Sequence, residues 1–126
     1  MMRDDAASAA LGMQVVDVGD GTATVTMPVT AAMVNGHGIG HGGYVFTVAD
    51  TAFACACNSW GPVTVAAHAE ISFVRPVRLG EVLTARAAAR ERWGRNGIYD
   101  VTVTGADGVV AEFRGMSRTI ERRAET

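Results

Sequence analysis

Residues Tyr44 to Asn58 read YVFTVADTAFACACN, apolar at almost every position. The run is long enough for a helix, and a helix apolar on nearly every side must be buried nearly all round. It is bounded on both flanks. Before it lies NGHGIGHGG, too rich in glycine to be helical. After it, Gly61-Pro62 stops it. One long helix is therefore predicted from about Gly42 to Ser59. In its middle stands a single carboxylate, Asp50. Any fold for this chain must cover that helix and account for that acid.

The flanking sequence supplies a sheet to do the covering. MQVVDV and TATVTMPV read as two strands about the Asp20-Gly21 turn. Ala23, Val25 and Met27 share one face of the second strand, and Thr22, Thr24 and Thr26 the other. Beyond the helix, HAEISFVRP alternates with Ala69, Ile71 and Phe73 on one side. In EVLTARAAARERW alanine propensity alone favours a helix. The strict alternation and the Gly94-Arg95-Asn96-Gly97 turn argue instead for a strand. IYDVTVT, a GADG turn and VVAEFRGMSRTI complete the set. DDAASAAL at 4–11 predicts a short N-terminal helix with acids at its positive end, and ERRAET a fraying tail at 121–126. The order is helix, two strands, long helix, then three or four antiparallel strands, an α+β class in a single domain over 1–126. One small sheet cannot cover the whole helix, so a partner subunit is expected to help.

Composition removes several functions. The formal charge of −2 gives no nucleic-acid footprint. All 11 basic residues are arginine, which excludes a Schiff-base lysine and a phosphate-loop lysine. No apolar run reaches the roughly 20 residues of a membrane helix, and MMRDDAASAALG does not resemble a signal peptide. A cytoplasmic enzyme or binding domain is expected, with no membrane partner. Cys55 and Cys57 are spaced C-x-C, and at i and i+2 on a helix they point apart, so both read as small buried hydrophobes. His37 and His41 lie in the loop without an evident third ligand, so no metal site is assigned.

Two features can carry chemistry. Gly42 and Gly43 open the long helix, so their N–H groups are unsatisfied and unshielded at its positive end. They can hold an anion or polarise a carbonyl oxygen; alternatively they serve a tight turn or close packing. Asp50, if buried, has a raised pKa suited to a general base; alternatively it caps a loop or pairs with an arginine. Eight residues separate Gly42 from Asp50, roughly 12 Å along a helix. The two cannot meet one reacting carbon within a single helix. Two such helices running antiparallel across a two-fold axis would bring Gly42 of one subunit to Asp50 of the other.

The motifs NGHGIGHGG (Asn35 to Gly43), FTVADTAFACACNS (Phe46 to Ser59), FVRPVRLGEVLTA (Phe73 to Ala85), GIYD (Gly97 to Asp100) and FRGMSRTI (Phe113 to Ile120) resemble the hotdog-fold acyl-CoA thioesterases of the phenylacetic-acid-degradation (PaaI) type. The resemblance spans about Ala7 to Ile120. It implies a long helix wrapped by a curved antiparallel sheet, pairing of subunits with shared sites, and assembly into tetramers. It implies cofactor-free hydrolysis of an aryl-acyl-CoA at the subunit interface. By motif position Asp50 would be base or nucleophile and the Gly42 N–H would polarise the carbonyl. Asn35 would orient water or thioester, and His41 would support the loop. Gly43, Arg75, Arg114 and Arg118 would bind substrate, the arginines through CoA phosphates unless they form surface ion pairs; Arg78 is a further candidate. Relatives often carry Ser or Thr near Ala66; here Thr64 or His68 stands nearby. Tyr44 and Trp60 could shape an aryl pocket or simply pack. The alternatives are a non-catalytic acyl-CoA binding domain and a hotdog hydratase or dehydratase, which would need a histidine beside the acid.

Overall fold

The computed structural model describes residues 6–120. Helix α1 is described over Ala6–Ala10 and ends one residue before Leu11; the expected acidic start at Asp4 and Asp5 and the 121–126 tail lie outside the described residues. Strands β1 (Gln14–Gly19) and β2 (Thr22–Pro28) follow, then a 3-10 turn at Ala31–Met33 and the long helix α2 (Gly42–Asn58). Strands β3 (Thr64–Phe73), β4 (Val82–Trp93), β5 (Asn96–Gly105) and β6 (Gly108–Thr119) complete the chain. The six strands form one sheet in the order β1-β2-β4-β5-β6-β3, and every pairing is antiparallel.

Alternation decides which face meets the helix. Ala23, Val25 and Met27 of β2 are buried, as are Leu83, Ala85 and Ala87 of β4 and Tyr99, Val101 and Val103 of β5. The register aligns them in rows: Ala23 pairs with Ala87 and Ala87 with Val101, which pairs with Phe113. The alanines that favoured a helix in β4 are thus the small floor of a sheet. On α2 the fully buried residues include Ala49, Ala52 and Ala56. Small residues on both surfaces let the helix lie close to the sheet. To one side an aromatic chain fills the wider space: Phe46 on Phe113 (5.4 Å), Phe113 on Phe53 (5.7 Å) and Phe53 on Tyr99 (5.5 Å). Ring pairs at these separations add to the area they bury.

β3 starts earlier than the periodicity suggested, at Thr64 rather than His68. The Asn58 side chain at the end of α2 brackets Thr64, accepting its N–H at 3.0 Å and donating to its carbonyl at 3.1 Å. The register with β6 shifts between Ala66 and His68, and that of β4 with β5 between Ala89 and Glu91. Such bulges bend a strand locally.

Close packing on the aromatic chain makes a specific demand at Gly115. A Cβ there would lie 2.7–2.8 Å from three carbons of the Phe53 ring. That ring is buried between Tyr99 and Phe113 and has no room to retreat. Gly115→Ala is expected to cost about 1–3 kcal/mol of stability, read from the urea unfolding midpoint. An unchanged midpoint would show the core to be looser than described.

Candidate active site

The glycine loop is tied on both sides. Asn35 Oδ1 accepts the N–H groups of His37 (2.8 Å) and Ile39 (3.2 Å), and the Gly38 N–H bonds to the Asn35 carbonyl at 3.0 Å. Gly40 donates to Val77 O at 2.8 Å, and a Cβ at Gly40 would strike Val77. His41 donates its N–H to Met33 O at 2.9 Å and is the N-cap residue of α2, but its side chain caps nothing. The imidazole is exposed, so the loop support expected of His41 comes from its backbone. The Asn35 carboxamide oxygen is committed to the loop, which leaves its Nδ2 as the group able to donate outward.

Gly42 is the first residue of α2 and Gly43 the second. As first-turn residues their N–H groups have no carbonyl within the helix to bond. A Cβ at Gly42 would lie 2.9–3.5 Å from the Phe73 ring, whereas one at Gly43 would meet nothing within 4 Å. A groove of about 480 Å³ adjoins this start, with Gly42, Val45, Phe73, Pro76 and Val77 among its walls and Arg75 the charged residue lining it. The Arg75 guanidinium is steadied by donation from Nη1 to Val109 O at 2.7 Å.

Asp50 is not enclosed within the protomer, contrary to a reading of the apolar run as buried on every side. It is half-buried and belongs to a stripe with Gly43, Thr47 and Ala54, one incompletely covered side of α2. Phe46 and Phe53, which reach Phe113 on β6, flank this stripe on one side. Thr51, whose Oγ1 lies 3.4 Å from Ser8 Oγ of α1, flanks it on the other. The stripe therefore opens between α1 and the β6-β3 side of the sheet. β3 is an edge strand in the protomer, with Val65 and Phe73 exposed.

Cys57 is buried, and burial chiefly pushes its thiol up to about 12, with the negative charge of Asp50 adding to the effect. A thiol so placed stays protonated and is a poor nucleophile. Cys55 and Cys57 are both buried thiols, as the C-x-C spacing suggested.

The remaining candidates are scattered. Arg114 and Arg118 alternate with the inward-facing Phe113, Gly115 and Ser117, so they project from the sheet face opposite α2. Arg114 grips Asp100 with two bonds, Nε at 2.7 Å and Nη2 at 3.0 Å, and Arg118 reaches Asn96. Neither joins Gly42 at the groove. Exposed Arg78 donates its backbone N–H to Glu81 Oε2 at 2.7 Å. Thr64 is buried and bonded to Pro62 O and Thr119, and His68 is exposed beside Glu70. Trp60 donates to Tyr99 Oη at 2.9 Å and lies under Arg92, at the opposite end of α2 from the groove; Tyr44 packs against the core. The contacts of Phe73 with Gly42 and of Arg114 with Asp100 had no local signature, since the first joins a strand end to a helix start in the tertiary packing and the second joins residues aligned by sheet register.

A long helix laid on a six-stranded antiparallel sheet, with a glycine-opened start and one acid on its open side, is the hotdog arrangement. The chain belongs to the Thioesterase superfamily, whose family model matches residues 37–112. It is 46% identical to the acyl-coenzyme A thioesterase PaaI of Escherichia coli over 121 residues, covering 95% of this chain and 86% of that protein. The solved structure of E. coli PaaI, from the phenylacetic acid degradation operon, superposes with a TM-score of 0.92 at 45% identity, over 95% and 88% of the two chains. A Streptococcus mutans protein solved with acetyl-CoA bound matches with a TM-score of 0.82 at 26% identity, over 88% and 90%. No helix among the described residues is long and apolar enough to cross a membrane.

The Asp100–Arg114 pair yields a pH prediction. The hydrogen bond from Arg114 holds the Asp100 carboxyl below the usual carboxylate range, opposed by burial and aided by the charges of Arg114 and Arg90. A lowered folded-state pKa stabilises the native form above the unfolded value and loses that contribution as pH falls through the folded one. Asp100→Asn is expected to be modestly less stable than wild type near neutrality. The gap should close below about pH 4, read from urea midpoints. A gap that persists in acid would assign the loss to packing instead.

Proposed function

We propose that this protein is a cofactor-free acyl-CoA thioesterase acting on aryl-acyl-CoA substrates of the phenylacetyl type, through sites shared across a homodimer. One observation carries the shared geometry. The bare helix start at Gly42 and the carboxylate of Asp50 lie on one helix, roughly 12 Å apart along its axis. Asp50 lies on a side of that helix left incompletely covered toward an unpaired sheet edge. A second copy paired along β3 about a two-fold axis would satisfy that edge, cover the stripe and bring Gly42 of one subunit opposite Asp50 of the other. The 46% identity to an acyl-CoA thioesterase supports the reaction, and the E. coli relative's operon supports the aryl acid as substrate class. The family resemblance supports pairing of dimers into tetramers, and a CoA thioester substrate supports action in the cytoplasm.

The chemistry follows from the groups. The thioester oxygen accepts the Gly42 N–H at the positive end of α2, which stabilises the negative charge gained on attack. Gly43 leaves the same terminus open to the substrate. Asp50 either takes a proton from an attacking water or attacks the carbonyl carbon itself. In the first route the water oxygen bonds to carbon, the C–S bond breaks, and the proton passes to the departing CoA sulfur. In the second the carboxylate oxygen bonds to carbon as the C–S bond breaks and CoA leaves as thiolate, and water then hydrolyses the mixed anhydride, giving the free acid, the Asp50 carboxylate and a proton for the CoA sulfur. Asn35 Nδ2 orients the water or the thioester. Arg75, beside the groove, is the arginine placed to meet a CoA phosphate. With Arg114 occupied by Asp100, a phosphate contact from the opposite face is not part of this reading.

The test is thiol release from phenylacetyl-CoA, its ring-hydroxylated forms and short straight-chain acyl-CoAs. Aryl substrates should be preferred, and Asp50→Asn should lower kcat at least ~100-fold. A loss under tenfold would remove Asp50 from the chemistry, and CoA binding without turnover of any thioester would identify a binding domain. Shared sites have their own signature. Gly42→Pro deletes the donor at the first helical position, where the missing N–H leaves no helix bond unmade, and its side chain also displaces the Phe73 ring of that subunit alone. Mixed after unfolding and refolding with Asp50→Asn, it should regain about a quarter of wild-type activity, because half the dimers are mixed and each carries one intact site. No regain would place both groups in one subunit's site.

A further inference from the structure

The bareness of Gly42 has a cause inside the protomer. For a Cβ built at this position, the three nearest heavy atoms all belong to the Phe73 ring, at 2.9, 3.1 and 3.5 Å. Phe73 ends β3, and the chain beyond it is pinned to β6. The N–H groups of Val74 and Arg75 both donate to Val110 O, at 2.7 and 3.2 Å, and Arg75 Nη1 donates to Val109 O at 2.7 Å. Phe73 itself pairs with Ala111. Its backbone is thus held on β6, while its ring reaches the first residue of α2. The same ring lines the groove and is 56% exposed. Gly43, one residue on, meets nothing.

We propose that Phe73 is a positioning residue for the thioester carbonyl: a strut from the end of β3, held on β6, that fixes where the Gly42 N–H points at the head of the groove. The inference rests on the thioesterase reading, with Gly42 as the carbonyl donor. The donor is then placed by a contact that only a residue without a side chain permits. An oxyanion donor works through its fixed distance to the reacting oxygen, so a small loss of position lowers turnover more than binding. Phe73 lies on the strand whose free edge the proposed partner would pair. Assembly and donor placement therefore share one element.

Two measurements decide it. The first is a double-mutant cycle in thiol release. Gly42→Ala should lower kcat at least tenfold in the wild-type background and less than threefold alongside Phe73→Ala, where the ring that its Cβ would strike is gone. Phe73→Leu should lower kcat about tenfold with KM changed less than threefold, and Phe73→Tyr, which retains the ring, should recover most of the loss. Equal penalties for Gly42→Ala in both backgrounds, or a Phe73→Leu loss confined to KM, would overturn the proposal. The second needs no activity: the backbone ¹⁵N order parameters of Gly42 and Gly43 by nuclear magnetic resonance, which report how tightly each N–H direction is held. A Gly42 order parameter that falls clearly in Phe73→Leu, with those of β5 unchanged, supports the strut, and an unchanged value at Gly42 refutes it. A wild-type protein that turns over no thioester would end the thioesterase reading, while the order parameters would still judge the Phe73 contact.

Discussion

Everything in this molecule depends on laying one nearly all-apolar helix against one sheet. The contact is made through small residues, Ala49, Ala52 and Ala56 on α2 and Ala85 and Ala87 on β4. That closeness buries apolar surface without large cavities and leaves the larger rings to fill one side, from Phe46 to Tyr99. A sheet can cover only part of a helix. The rest of α2 falls to α1, through Ser8 and Thr51, and to a stripe that the protomer leaves incompletely covered. Asp50 stands on that stripe. The constraint that builds the core therefore also decides where a charge can be kept.

Much of this was legible in the sequence because it is periodic. The two-residue alternation of strands survives without coordinates and placed β2, β4, β5 and β6, and the length of the apolar run between glycines and Gly61-Pro62 placed α2. The alanine-rich β4 was legible against its own propensity, since alternation with Thr84, Arg86 and Arg90 outweighs a weak preference for helix. What was not legible depends on register. Asp100 and Arg114 are 14 residues apart and meet because β5 and β6 align them directly. From sequence Arg114 was a candidate for a CoA phosphate or for a surface ion pair with no partner named, and in the fold it is paired with Asp100. Asn35 looked like a group for substrate, and the fold commits its oxygen to the loop backbone.

Asp50 shows the same division. Its neighbours in sequence are apolar, which suggested an enclosed acid. Helical geometry sorts those neighbours onto different faces, and the residues that share its face are Gly43, Thr47 and Ala54. An acid on an incompletely covered side is far less costly to keep ionised than one in the core.

The choice of reactive group follows from what the core does to the alternatives. Cys57 lies two turns beyond Asp50 on the same helix, and burial together with the Asp50 charge holds its thiol protonated. The chain has no lysine, and His68 stands exposed on β3 beside Glu70. In the proposed mechanism the Asp50 carboxylate is the group placed where a ligand can reach it. Its proposed counterpart, the helix start, is held by backbone bonds through Met33 and Val77 and packed on by the Phe73 ring. A backbone donor and an acid on the open stripe of the same helix would need only a two-fold axis to become the one site proposed above.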